Sequence, residues 1–274
     1  MNLHEALTAA AALEVERLDA QLLLLHVLGR DAGERAWLLA HDGDPLEPAA
    51  QQAFEQLCAR RVAGEPLAYL VGHKEFFGLR LQVDARVLVP RPDTETLVEW
   101  ALEVLRERKA PRVIDLGTGS GAIALAIQSA RADAQVEAVD RSAGALAVAA
   151  ANAARLRLPV RFRQASWLMG GGAYDLIASN PPYVAEADPH LPALQHEPRE
   201  ALTAGADGLD DLRRIVAEAP AHLLPGGWLL LEHGWDQAAA VRALLAQAGF
   251  AEVASRRDLA GHERCSGGRW LELG

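Results

Sequence analysis

Little in this chain points toward a metal, a membrane or a nucleic acid. It holds only two cysteines, Cys58 and Cys265. They are too far apart for metal or redox spacing, so both are expected to be reduced, small buried hydrophobes in a cytoplasmic protein. The nine histidines include no H-x-H or H-E-x-x-H arrangement, and no metal site is expected. Met1-Asn2-Leu3-His4-Glu5 lacks the basic start of a signal peptide. Apolar runs such as Leu22 to Leu25 are far too short to span a bilayer, so a soluble protein without a membrane partner is expected. Positive charge is scarce: 27 Lys and Arg stand against 37 Asp and Glu. The deficit is shared, −5 in residues 1–90 and −5 in the remainder. Neither part carries the basic footprint of a nucleic-acid binder, so no direct nucleic-acid partner is expected. Internal repeats and low-complexity tracts are absent as well.

What is present is a change of period along 274 residues. Residues 1–73 read as a small helical bundle of the kind that positions a partner. Asn2 and Glu5 resemble a capping box, Asp19 is expected to cap a second helix, a third passes through Trp37-Leu38-Leu39, and Pro48 opens a fourth. Residues 74–91 alternate (Leu79, Leu81, Val83, then Val87, Leu88 and Val89), which predicts a β-hairpin linker. From residue 92 to 274 strands and helices alternate, the pattern of a parallel sheet covered on both faces. Predicted strands lie at Val113-Ile114, Val136 to Val139, Val160 to Phe162, Leu176 to Ala178 and Trp228 to Leu231. Two more, Glu252 to Ala254 and Trp270 to Leu273, are expected to pair antiparallel. Val184 to Leu209 is a long Pro- and acid-rich segment with the character of a lid.

The organising stretch is Asn180-Pro181-Pro182-Tyr183, at the end of the apolar strand Tyr174 to Ser179. Two prolines stop the strand and offer carbonyl acceptors but no N–H. The Asn180 amide oxygen adds an acceptor and Tyr183 a flat aromatic face. Together they form a clamp for a planar group bearing an NH2, such as a carboxamide or a nucleobase amine; taken alone, a plain strand-ending turn serves as well.

Asp115-Leu116-Gly117-Thr118-Gly119-Ser120-Gly121 joins the first sheet strand to its helix. With Ala122 it loosely satisfies the G-x-G-x-x-G/A dinucleotide fingerprint, and it also fits the loop of enzymes that use S-adenosylmethionine. Asp140, nineteen residues after Gly121, ends the second strand, where a carboxylate accepts ribose hydroxyls in either case. The clamp separates the two readings: an NH2-holding turn beside a methyl donor makes a nitrogen methyltransferase, whereas a nicotinamide enzyme has no evident need of it. Ser166-Trp167 follows the third strand, where Trp167 can stack on an adenine ring or plug the core.

These residues resemble the peptide chain release factor glutamine methyltransferases (PrmC/HemK). The likeness runs through Asp19 to Leu23, Gly64 to Tyr69, Pro90 to Glu95, the glycine loop, the clamp, Glu197-Pro198, Gly205 to Leu209 and Leu231 to Gly234. It implies an α/β, Rossmann-like S-adenosylmethionine-dependent methyltransferase domain with a mostly parallel seven-stranded sheet, preceded by a helical substrate-recognition domain. It also implies methylation of the glutamine side-chain amide in the Gly-Gly-Gln motif of class I release factors, with S-adenosylhomocysteine as product and a monomeric enzyme. Asp115, Gly117, Thr118, Gly119, Ser120, Gly121, Asp140, Trp167 and Asn180 would contact the cofactor, and Asn180, Pro181, Pro182 and Tyr183 the glutamine. Asn180, Pro181 and Tyr183 would be catalytic. The Asn180 oxygen and the Pro181 carbonyl would accept the amide N–H bonds while its nitrogen attacks the methyl in line, and Tyr183 would fix the amide plane. Ser166 departs from the Asp that many relatives carry there. Arg91 and Glu95 would shape the entrance or simply pair at i, i+4. An adenine or guanine amine methyltransferase acting on nucleic acid is the alternative, since the clamp chemistry is the same.

Overall fold

The computed structural model describes residues 1–271. Its contacts divide the chain into two compact units, Met1–His73 and Lys74–Gly274. Among the described residues no helix is long and apolar enough to cross a membrane.

The first unit is helical: α1 (Leu3–Ala12), α2 (Arg17–Val27), α3 (Arg35–Ala40), α4 (Pro48–Val62) and α5 (Leu67–Val71). Leu3, Leu23, Leu24, Leu25, Leu38, Phe54 and Cys58 form its core. Burial pushes the Cys58 thiol up to about 11, so it packs as a hydrophobe. The Asn2–Glu5 capping box forms in both directions. Asp19 does not cap α2. Glu16 takes that position, and Asp19 sits within the first turn, accepting from Arg61 Nε at 2.6 Å. A carboxylate in the first turn still meets the positive end of the helix, and here it also ties α2 to α4.

The hairpin pairs β1 (His73–Phe76) with β2 (Leu79–Gln82). It turns at Phe77 and Gly78, both at positive φ (48° and 74°), as a tight two-residue turn requires. Val87 to Val89 was expected to share in the hairpin but is not a strand. Pro90 and Pro92 remove ladder donors just beyond it, and the Val89 N–H goes instead to Glu197 Oε2 at 3.0 Å.

The sheet holds seven strands: β3 (Arg112–Leu116), β4 (Gln135–Asp140), β5 (Arg161–Gln164), β6 (Tyr174–Ser179), β7 (Leu223–Glu232), β8 (Ala251–Arg257) and β9 (Glu263–Arg269). Their spatial order is β5-β4-β3-β6-β7-β9-β8, parallel from β5 to β7 and antiparallel at β9 and β8. Alternate residues serve opposite faces, as the two-residue period demands. Val113, Leu176, Ala178 and Leu230 face α6 (Glu95–Val104), α7 (Ala122–Ala130) and α8 (Ala143–Leu156). Ile114, Leu116, Ile177, Leu229 and Leu231 face α9 (Asp210–Glu218) and α10 (Ala238–Gln247).

The last strand differs from the expectation. It is β9, and Trp270 and Leu271 lie past its end, while Glu272 and Leu273 fall outside the described residues. Hydrophobicity drew the prediction to Trp270-Leu271, but close packing selects the glycines. A Cβ on Gly267 would overlap the Leu230 side chain, and one on Gly268 would lie 2.8 Å from Phe250 Cβ. Strand glycines of this kind mark close approach rather than a break.

Candidate active site

β3 and β6 are central neighbours from which the chain departs in opposite directions, to β4 on one side and β7 on the other. Such a switch point leaves a crevice outside the carboxyl ends of the strands. Leu116 is in register with Ser179, and the Ser179 hydroxyl donates to the Leu116 carbonyl at 2.7 Å. The residues that follow, Gly117 and Asn180, therefore emerge side by side. Both line a cavity shared with Gly119, Asp140, Ser166, Trp167, Pro182 and Asp211.

The glycine loop is held from below. Asp115 is fully buried and does not line the cavity. Its Oδ2 accepts the Thr118 hydroxyl at 2.6 Å and the Ala124 N–H at 3.2 Å, while Oδ1 has no partner. Burial lifts this carboxyl to about 7 against those two hydrogen bonds. Asp115, Thr118 and Ser120, expected as cofactor contacts, are buried, and neither they nor Gly121 belong to the cavity lining. The faces turned to the cavity are Gly117 and Gly119. Gly117 has φ 69°, and a Cβ there would meet the Trp167 ring at 3.3 Å.

Asp140 ends β4 at the cavity. Its Oδ2 accepts the Gly119 N–H at 3.0 Å and its Oδ1 the Ser142 N–H at 2.8 Å. Each carboxylate oxygen keeps a lone pair, which fits a pair of vicinal hydroxyls. Trp167 is held at φ 49°, a region costly for a bulky side chain, and its indole lies beside Asp211. Burial raises the Asp211 carboxyl, with Arg141 opposing. The cavity thus presents the two acceptor oxygens of a carboxylate, together with a flat ring beside a second acid. These residues fit a nucleoside.

At the clamp, the Asn180 Nδ2 donates to the Thr94 hydroxyl at 3.3 Å. Pro182 lines the cavity, while Pro181 is buried and Tyr183 half-buried away from the lining. The Tyr183 carbonyl accepts from Gln237 Nε2 at 3.1 Å, and burial, reinforced by nearby Glu232, pushes its hydroxyl pKa up. Arg91 and Glu95 do not pair with each other. Arg91 pairs with the buried Glu197, and Glu95 Oε1 accepts the Phe77 N–H at 2.9 Å. Glu197 also holds Val89, so it pins the 184–209 segment to the chain before α6, and Pro198, Glu200 and Ala201 of that segment line the cavity.

Three residues escaped the sequence reading. Thr94 sat unremarked inside the Pro90–Glu95 run. Glu232 carried a signal: a carboxylate closing the apolar run Trp228 to Leu231 is an anomaly on a buried strand. Asp211 had none, since an acid in the first turn of a helix is ordinary.

Two family models match the chain, the PrmC N-terminal domain over residues 3–72 and the methyltransferase small domain over 94–209. A release factor glutamine methyltransferase of Bordetella pertussis is 58% identical over 257 residues, covering 92% of this chain and 94% of the relative. One of Xylella fastidiosa is 52% identical over 269 residues, covering 96% and 97%. Among solved structures, the hMettl16 catalytic domain in complex with a MAT2A 3'UTR hairpin superposes with a TM-score of 0.59 at 17% identity, covering 83% of each chain, which speaks for the fold alone. With both sequence relatives matched over nearly their whole length, the chain belongs to the release factor glutamine methyltransferase family.

Proposed function

We propose that this protein transfers a methyl group from S-adenosylmethionine to the side-chain amide nitrogen of the Gly-Gly-Gln glutamine of class I peptide chain release factors. One observation carries the reading: the acceptor residue Asn180 lines the same cavity as Gly117, Gly119, Asp140 and Trp167. Family membership supports the choice of glutamine over a nucleobase.

When bound, S-adenosylmethionine supplies an electrophilic methyl on a sulfonium. Asp140 holds the ribose hydroxyls and Trp167 packs on the base. Asp211 accepts the exocyclic amine, replacing the acid that Ser166 does not provide. An amide nitrogen is a weak nucleophile because its lone pair is delocalised into the carbonyl. Asn180 Oδ1 and the Pro181 carbonyl accept its two N–H bonds, which strengthen as the nitrogen gains positive charge; the methyl–sulfur bond breaks to leave S-adenosylhomocysteine, and one of the two nitrogen protons then passes to solvent. Tyr183 fixes the tilt of the amide plane.

The test is mass spectrometry of a purified class I release factor after incubation with the protein and S-adenosylmethionine. One added methyl on the Gly-Gly-Gln glutamine, lost with Asn180→Ala, is expected. No methyl on that glutamine, with transfer to RNA or DNA instead, would overturn the substrate.

A further inference from the structure

The carboxamide of Asn180 is nearly symmetric in shape, yet only one of its ends suits an NH2 substrate. With its oxygen toward the cavity it accepts; rotated by half a turn, it would set two donors against two donors. Something behind the side chain has to choose.

That choice is made among residues distant in sequence. Asn180 gives its N–H to the Thr94 hydroxyl, which is itself 4% exposed. A buried hydroxyl that accepts one bond must place its own proton on another acceptor. The Glu232 carboxylate is buried beside Thr94 and Asn180, and both help hold down a carboxyl that burial raises. Strand register explains its location: Ser179 pairs with Leu231, so the next residues, Asn180 and Glu232, leave β6 and β7 as neighbours. Glu232 is 1% exposed, and its Oε2 has no partner. A carboxylate this deep is costly unless it serves a purpose in the site. The charged and titratable groups around it are Arg264 and Asp93, with Tyr183 and Cys265 nearby. Among the described residues no cation is hydrogen-bonded to it: Arg264 is engaged by Asp258 at 3.2 Å and Asp93 at 3.4 Å.

We propose that Glu232 and Thr94 form a relay that locks the Asn180 amide with its NH2 inward and its oxygen toward the substrate. An ionised carboxylate only accepts, so it takes the Thr94 proton, and the Thr94 lone pair then takes the donor end of Asn180. Glu232 is a positioning residue, acting through Thr94 and Asn180 without touching the substrate. Its charge also favours positive charge on the amide nitrogen as that charge develops. The catalytic part of this inference rests on the methyl-transfer reading above; the orientation of Asn180 does not.

Two measurements test it separately. In the first, the side-chain NH2 signals of Asn180 are followed by nuclear magnetic resonance from pH 5.5 to 8.5. They should titrate with a midpoint near the value of about 7 to which burial raises Glu232, and stop titrating in Glu232→Gln. Signals indifferent to pH in the wild type, or unchanged titration in Glu232→Gln, would overturn the relay whatever the enzyme's activity. In the second, kcat for release-factor methylation is measured for Thr94→Val, Glu232→Gln, Glu232→Leu and the Thr94→Val/Glu232→Leu double variant. Thr94→Val and Glu232→Leu should each lower kcat, by roughly 100-fold where the amide is misplaced, with cofactor affinity held. Glu232→Gln, which keeps an acceptor oxygen, should recover most of the rate and lose the acidic limb of the pH profile. The double variant should be no worse than the worse single variant, as expected of residues in one chain of contacts. Additive losses, or equal losses in Gln and Leu, would reduce Glu232 to a structural residue. Wild-type protein that leaves the glutamine unmethylated defeats the substrate reading, while the magnetic resonance result still decides the relay.

Discussion

Two strand ends meet in the cavity, and each is backed by a fully buried carboxyl that burial lifts to about 7. Behind the glycine loop stands Asp115, and its partners, Thr118 and Ala124, lie within nine residues of it. Behind the clamp stands Glu232, reaching Thr94 and Asn180 from a different strand. The first arrangement is a local turn that any chain carrying this loop can close. The second exists only once α6, β6 and β7 have assembled. The difference teaches that the glycine-loop side of the site is a self-contained motif, whereas the clamp side is a product of the fold. Substitutions at the two ends should accordingly separate into effects on cofactor binding and effects on turnover.

The sharpest test of that separation is Asn180→Ala. It should lower kcat by about 10²–10³-fold, the usual cost of deleting one preorganised hydrogen-bonding group, with cofactor affinity near that of the wild type by calorimetry. A parallel loss of affinity would show that the two ends are one unit. Asp140→Ala should do the converse. Losing charge-assisted hydrogen bonds to the ribose costs about 1.5–3 kcal/mol, or roughly tenfold to a hundredfold in affinity, with kcat at saturating cofactor largely kept.

Asp211→Asn should have a smaller effect. Its loss is about 0.5–1.5 kcal/mol, read as weaker binding of S-adenosylhomocysteine. The distinguishing result is that S-inosylhomocysteine, which carries a carbonyl oxygen in place of the adenine amine, should bind Asp211→Asn at least as well as the wild type, because a carboxylate offers that oxygen no donor and a carboxamide does.

The mildest effect is on stability. Asp115 and Glu232 titrate at about 7 in the folded protein, and near 4 in the unfolded chain. Between those values the folded state holds more protons. The contribution of these groups is therefore fully present below about pH 4 and is lost as pH rises through about 7. Thermal unfolding should show a lower Tm at pH 8 than at pH 5.5, and Asp115→Asn should flatten that slope. A difference of 1 kcal/mol corresponds to roughly 2–4 °C for a unit of this size. A Tm that rises over the same interval would mean that both carboxyls are ionised in the fold at acidic pH.

Local spacing made much of this legible. The glycine loop announced a tight turn, Asp140 stood at the expected distance after it, and Asn180-Pro181-Pro182 had to end a strand in acceptors. The unbroken apolar run Leu176 to Ala178 likewise anticipated a short buried strand. Where local cues misled, a long-range partner had won. Asp19 looked like a cap but serves Arg61. Arg91 and Glu95 had the spacing of a helix pair, yet each is taken by a residue elsewhere, Glu197 and Phe77. The last strand, expected from Trp270 onward, is Glu263–Arg269 instead, where Gly267 and Gly268 let Leu230 and Phe250 pack close.

The sequence by itself determined the alternation of strand and helix, the acceptor-only turn at Asn180 and the flexible turn at Gly117 to Gly121. These follow from φ restrictions, missing donors and side-chain period, all of which act within a few residues. Only the tertiary structure decided that Asp115 supports the loop from below and that Glu232 stands behind Thr94 and Asn180. Those facts depend on strand order and register, which are set by the burial of whole faces of the sheet. No spacing along the chain encodes which strand ends will come to lie side by side.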